Sequence, residues 1–422
     1  MEVGGWRLEV GGWRLEVGGW RLEVGGWRLE ARRLTTKKLS NYRTTVLQNE
    51  VTHMTFDFDT IINRLGTDSI KWGFFDEEVL PMWVADTDFL SPPPVIEALK
   101  KRVEHGVFGY PHLLEETEEA VVLWLEKRHG WQVKREDLVF LPGVVTGFNL
   151  ATHAVTKPGE GVLVQTPTYR PFLEVDRNVD REQHTMSFAQ AKNGSYKLDA
   201  DIFTGAVREN TRIFMLCNPQ NPTGRVFRKD ELEMMAEICL ENGVVICSDE
   251  IHSDLIFSES EHIPVASLSP EIAANTITLL APSKTFNIAG LKASVAVITN
   301  PELREEFERA KQGLVGWVNL LGQVAARAAY AEGEPWLDAM LVYLEANRDF
   351  LVDFVNNELP GVQMVKPEGT YLSWLDCREM GVENPQQFFL REAKVGLNDG
   401  AWFGEEGKGF VRLNFGCPKA VL

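Results

Sequence analysis

Three residue types that could do chemistry together arrive in order along this chain, each just after an apolar run. Ile213-Phe-Met-Leu216 leads into Cys217-Asn-Pro-Gln-Asn-Pro-Thr-Gly224, and Val244-Val-Ile-Cys247 leads into Ser248-Asp-Glu-Ile-His252. Thr276-Ile-Thr-Leu-Leu280 leads into Ala281-Pro-Ser-Lys-Thr-Phe-Asn-Ile-Ala-Gly-Leu-Lys292. An amide (Asn221), a carboxylate (Asp249) and a lysine (Lys284) are thereby spaced 28 and 35 residues apart. That set suits a pyridine aldehyde cofactor: the amine forms an imine and later moves a substrate proton, the carboxylate keeps the ring nitrogen protonated, and the amide donates to the ring oxygen. Singly, an Asp or Lys at such a position is most often solvated or caps a helix. The ordered combination carries the reading. A merely solvated Lys284 is disfavoured by its place between Ser283 and an Asn-Ile-Ala-Gly turn, directly after a buried run.

The elements that must position these groups are legible in the pattern. The apolar runs, with Val162-Leu-Val-Gln165 among them, alternate with amphipathic segments such as Asp230 to Glu241, where Leu232, Met235, Ala236, Cys239 and Leu240 share a face. Continuous apolar strands separated by helices predict an α/β domain with a mostly parallel sheet covered on both sides. Ligands bind beyond the carboxyl ends of such strands, where all three residues fall. Near residue 320 the pattern changes. A helix over Pro335 to Glu358 is followed by strand-like Tyr371 to Leu375, a helix from about Pro385 to Ala393, and strand-like Phe410 to Phe415. The expected organisation is an arm (54–95), a large domain (96–322) and a small α+β domain (323–422) that the arm joins.

Composition bounds the function. At 422 residues the chain is long enough for two domains, and 44% hydrophobic with 25% charged residues is the balance of a packed protein. A net charge of -18 disfavours a general nucleic-acid or anionic-membrane surface, since no local basic patch is visible in the body of the chain. No apolar run reaches the ~18 residues that span a bilayer, and five cysteines without a Cys-x-x-Cys pair read as buried thiols, so a soluble, cytoplasmic protein is expected. Residues 2–29 are four identical copies of Glu-Val-Gly-Gly-Trp-Arg-Leu. The heptad period is not a coiled coil, because each helical glycine costs ~1 kcal/mol relative to alanine. Perfect identity points to a translated tandem DNA repeat, giving a structureless 1–53 extension ahead of a native start at Met54. A functional tail is the alternative, as is a presequence, since Ala31 to Asn49 has Arg and Lys but no acid.

The motifs Asn-Pro-Thr-Gly, Ser-Asp-Glu-Ile-His and Ser-Lys-Thr-Phe-Asn-Ile-Ala-Gly-Leu-Lys resemble the fold-type I, class I/II aminotransferase superfamily of pyridoxal 5'-phosphate (PLP) enzymes. Leu80-Pro-Met-Trp-Val-Ala-Asp-Thr-Asp-Phe89 and Gly106-Val-Phe-Gly-Tyr-Pro111 narrow the resemblance to the MalY/PatB cystathionine β-lyase branch. It runs from about Met54 to the C-terminus. It implies the aspartate aminotransferase-like fold, with Lys284 carrying PLP, Asp249 on the pyridine nitrogen and Asn221 on the ring hydroxyl. Tyr169 would stack on the ring beside His252, while the Gly143-Val144-Val145-Thr146 N–H groups, Ser283 and Lys292 would hold the phosphate. Tyr110 would reach the phosphate of a neighbouring subunit, implying a homodimer, and Arg412 would bind the substrate α-carboxylate. His252 and Lys292 stand where many aminotransferases have Tyr and Arg, and both choices occur in the lyase branch. The implied activity is β-elimination of a thiol from a cysteine S-conjugate; an aminotransferase is the alternative, and a regulatory or binding protein on this fold the reading from another class. Bland roles remain open for several residues: His252 as a core histidine, Tyr110 as a packing aromatic, Trp83 as a pocket wall, Thr146 as a helix-start hydroxyl. The family continues with a closing helix beyond the point ten residues after Arg412 where this chain stops, so a truncated small domain and a poorly supported Arg412 are expected.

Overall fold

In a computed structural model of the chain, the described residues are 7–10, 13–16, 21–24, 27–30, 56–191 and 194–422. Seven strands form the central sheet: β1 (Leu138–Leu141), β2 (Gly161–Thr166), β3 (Glu182–Ser187), β4 (Thr211–Cys217), β5 (Val245–Asp249), β6 (Thr276–Leu280) and β7 (Ser294–Val297). Their order is β1-β7-β6-β5-β4-β2-β3. All are parallel except β7, which runs against both its neighbours. Alternate side chains serve opposite faces. Ile213, Met215 and Cys217 of β4 join one core with Phe148 and Phe172, whereas Phe214 and Leu216 join another with Leu232 and Met235. Both faces are therefore covered, as the continuous apolar runs required.

Helix α1 (Val144–Val155) covers the first face and α2 (Lys229–Glu241) the second. On α2, Leu232, Met235, Ala236 and Cys239 are buried as expected, but Leu240 is 38% exposed. At ~100° per residue Leu240 lies at the edge of the apolar stripe, which explains the departure. The register in the sheet brings Cys217 level with Asp249, and Asp249 level with Leu279. Asp249 thus ends a strand flanked on both sides.

Helices α3 (Leu320–Glu332) and α4 (Glu334–Glu358) lead to a second sheet, antiparallel, in which β8 (Leu372–Asp376) and β9 (Phe410–Asn414) are central. The expected boundary at 322 falls inside α3, which packs on the helices Pro93–His105 and Glu115–His129 of the large layer. The expected helix from Pro385 is four residues long and passes into a π turn, Phe389–Ala393. Leu80–Pro81 pairs in parallel with Val395–Gly396, and the Asn414 N–H donates to the Met82 carbonyl at 2.9 Å. Residues Phe56–Leu422 form one compact unit. Arg7–Val10, Trp13–Glu16, Arg21–Val24 and Trp27–Glu30 form an antiparallel meander of their own, the outer pairs separated in sequence by Gly-Gly, a composition that suits tight hairpins. The remaining residues up to Thr55, with the question of a start at Met54, lie outside the described residues.

Candidate active site

At the carboxyl end of β5, Asp249 is buried, and its Oδ1 accepts the Ile251 N–H at 3.1 Å. No cation hydrogen-bonds to it among the described residues. Burial pushes its carboxyl up to about 7, against the pull of the Ile251 N–H and the Lys284 charge. Lys284 follows β6 on the short helix Pro282–Thr285, which starts with Pro at a position where a missing N–H is harmless. Its Nζ donates to the Ala85 carbonyl at 2.7 Å. Burial, reinforced by the Arg412 charge, brings its ammonium down to about 8 despite Asp86 and Asp249. The result is a carboxyl and an amine whose pKa values have been driven toward each other by one environment.

Arg412 comes from β9, level with Trp374 of β8 and Asn398. Its Nη1 donates to Asn221 Oδ1 at 2.9 Å, and its Nη2 donates to the Trp83 carbonyl at 2.8 Å and to Asn398 Oδ1 at 2.6 Å. The guanidinium also lies 4.9 Å from the Phe403 ring centroid. The expected lack of support for Arg412 is therefore corrected: a central strand and three oxygen acceptors fix it. All three acceptors are neutral, its Nε has no partner, and burial lowers its pKa to about 10. A buried guanidinium without a carboxylate among the described residues is a site waiting for an anion.

The arm supplies what sequence reasoning missed. Five consecutive carbonyls, Trp83 to Thr87, each accept from a side chain elsewhere: Arg412, Asn414, Lys284, Asn414 again, and Asn287. Tyr371 shares the Ala85 oxygen with Lys284, at 3.1 Å. The Leu80 to Phe89 motif was visible, but main-chain acceptors leave no residue-type signal. Trp83 itself forms a wall, its indole N–H donating to the Lys71 carbonyl at 3.1 Å.

One cavity of about 610 Å³ is lined by Lys284, Asp249, Asn221, Arg412, Tyr169 and His252, and at its far end by Val144, Val145, Ser283 and Lys292. Tyr110 is the exception. It is 94% exposed, its ring 5.9 Å from Trp317, and it does not reach this cavity within the chain. A second cavity of about 610 Å³, beside Tyr196, Arg225 and Trp374, contains none of the expected residues. His252 is buried, its Nδ1 lacks a partner, and burial with the Lys284 and Arg412 charges takes it down to about 3, so the ring is neutral. The first-turn N–H groups of α1 have no side-chain cap. This donor set fits PLP on the structure's own terms: a buried carboxyl short of a cation, an amine near neutrality, orphaned polar atoms on His252 and Arg412, and a helix N-terminus with Lys292 for a phosphate.

The family model for aminotransferase class I and II matches residues 78–422. Cystathionine beta-lyase PatB of Bacillus subtilis (strain 168) is 44% identical over 377 residues, covering 87% of this chain and 97% of that protein. Protein MalY of Escherichia coli (strain K12) is 34% identical over 381 residues, covering 87% and 96%. Cystalysin from Treponema denticola, whose crystal structure contains a pyridoxal 5'-phosphate cofactor, matches with a TM-score of 0.84 at 34% identity, covering 87% of this chain and 96% of that one.

Proposed function

The chain belongs to the aminotransferase class I and II family, on its MalY/PatB branch, and from that premise we propose that it is a PLP-dependent carbon–sulfur β-lyase. It eliminates a thiol from a cysteine S-conjugate such as cystathionine, leaving pyruvate and ammonia. The observation that carries this is the convergence of Lys284, Asp249 and an anion-seeking Arg412 on one cavity.

When bound, the cofactor supplies an electron sink conjugated to the substrate Cα. Asp249 would hold the proton at the pyridine nitrogen, and that pairing would restore its own ionised state. Asn221 uses its oxygen on Arg412, which leaves its amide N–H₂ to donate to the ring oxygen. Tyr169 would lie against the ring, and the α1 N-terminus with Ser283 and Lys292 would hold the phosphate. Arg412 takes the substrate α-carboxylate and so fixes the direction of the Cα–H bond. Lys284, neutral above about pH 8, removes that proton. The electron pair left at Cα forms a Cα–Cβ double bond as the Cβ–S bond breaks and the thiolate departs. Water then converts the released enamine to pyruvate and ammonia.

The active unit we propose is a homodimer, supported by exposed Val107, Phe108, Tyr110 and Trp317, with Tyr110 serving the partner's site. Five free, buried cysteines support a reducing, cytoplasmic setting. None of the described helices is long and apolar enough to cross a membrane. The test is pyruvate release from cystathionine without added keto acid, falling by at least ~10²-fold in Lys284→Ala. Turnover that requires a keto acid would instead establish the aminotransferase reading, which the family match also accommodates. Undiminished pyruvate release by Lys284→Ala would refute the role given to Lys284.

A further inference from the structure

Outside the cavity lining a second carboxylate is buried: Asp254, 5% exposed. It lies on the turn that follows β5, two residues beyond His252. Three donors from two other elements meet it. Trp124 Nε1 and His129 Nε2 reach Oδ1, each at 3.0 Å, and Thr285 Oγ1 donates to Oδ2 at 2.8 Å. Trp124 and His129 lie on the helix Glu115–His129, and Thr285 is the residue after Lys284. A second carboxylate–imidazole pair backs this one: His262 Nε2 is 2.9 Å from Glu250 Oε2, and the His129 and His262 rings are 5.5 Å apart.

We propose that Asp254 is a positioning residue that sets the placement of the Lys284 amine relative to the Asp249 carboxylate. Asp249 ends β5 and is held by the sheet, whereas Lys284 lies on a short helix beyond the end of β6, so the sheet alone does not fix the two side chains against each other. Asp254 bolts them together through Thr285 and anchors both to the helix behind. Thr285 and Lys284 point to opposite sides of a four-residue helix, one into the hub and the other into the cavity. A helix that short has little rigidity of its own.

An ionised carboxylate is the acceptor this arrangement needs. The indole N–H can only donate, and two donors already occupy Oδ1. Against the upward push of burial, the bonds from His129, Thr285 and Trp124 hold the carboxyl below the usual range. A buried, fully bonded charge is a poor source of stability compared with apolar packing, whereas it does specify geometry. Asparagine in its place keeps one oxygen but turns an N–H₂ toward a partner, which either reverses the Thr285 bond, the hydroxyl then accepting, or breaks the Trp124 bond on the other side, where the indole can only donate.

The inference rests on the reading of Lys284 and Asp249 as cofactor residues, and the experiment separates the two. In wild-type holoenzyme, the pH midpoint at which the bound-cofactor absorbance titrates is measured, with PLP uptake by cofactor-free protein across the same pH range. Lys284→Ala is the control: if it keeps the wild-type band and uptake, the reading of Lys284 fails first. With that control behaving as expected, Asp254→Asn and Thr285→Val should each move the midpoint by about one unit and lower kcat by roughly tenfold or more. KM should change by less than about twofold, because Arg412 and its supports are untouched. Thr285→Ser, which keeps the hydroxyl, should return the midpoint to wild type. If Asp254→Asn does not fold, the Thr285 pair decides. Midpoint, uptake and kcat unchanged in folded Thr285→Val would overturn the proposal, as would a loss of melting temperature alone.

Discussion

Asp249 is a carboxyl that its own fold keeps from ionising cleanly until a cation arrives. Its pKa is raised to about 7 from the ordinary 3.8, chiefly by burial. A raised folded-state value means that its contribution to stability is complete below the unfolded pKa and is lost as pH climbs through about 7. A protonated ring nitrogen replaces what is lost. The melting-temperature gain on adding PLP should therefore grow between about pH 5.5 and pH 8, and the Asp249→Asn protein should show much less of that growth. The same pH dependence in both proteins would contradict the pairing. Asp249, Lys284 and Asn221 could be read from sequence because each follows an apolar run closely, so strand position and chemistry coincide. Asp254 lies only five residues beyond Asp249, in Ser-Asp-Glu-Ile-His-Ser-Asp. Its role was not legible, because its partners come from residues 124, 129 and 285 and leave no spacing rule behind.

The loop between β4 and α2 shows how an element is held in place by an absence. Gly224 has φ +70, and a Cβ there would lie 2.5 Å from Pro367 Cβ and 3.2 Å from the Gly369 carbonyl. Its own carbonyl accepts the N–H groups of Glu368 at 2.8 Å and Gly369 at 3.0 Å. The loop carrying Asn221 is thus pressed against the segment that enters β8. Gly224→Ala should cost about 1–3 kcal/mol, a drop of several degrees in a thermal melt, and should weaken PLP binding by displacing Asn221. An unchanged melt and cofactor titration would show that the contact yields. Asn-Pro-Thr-Gly was legible as a motif, but the reason for its glycine lies 143 residues away at Pro367. Strand legibility followed burial: β4, β5 and β6 are apolar on both faces and were anticipated. Edge strand β3, Glu-Gln-His-Thr-Met-Ser, buries only His184 and Met186 in its alternation and gave no apolar run.

Across the whole molecule, a mostly parallel sheet followed by a smaller antiparallel one was legible in the change of pattern near residue 320. Helix α3 has the composition of either layer, and only its packing assigns it. The one expected residue that stays outside the cavity, Tyr110, belongs to the scale above the chain. Dimers of Tyr110→Ala and of Lys284→Ala should each be impaired, but a mixture reassociated into hybrids should regain roughly a quarter of wild-type activity, since each hybrid holds one site free of both changes. No recovery in verified hybrids would show that Tyr110 serves its own subunit or none. The five arm carbonyls have a consequence of another kind. Because the acceptors at Trp83 to Thr87 are main-chain oxygens, exchanging side chains along that stretch leaves every one of them in place. What the segment cannot tolerate is a change of length: inserting or deleting one residue would shift the whole row of acceptors at once, detaching Lys284 and Arg412 together. For these five acceptors, the arm's contribution is written in its count of residues.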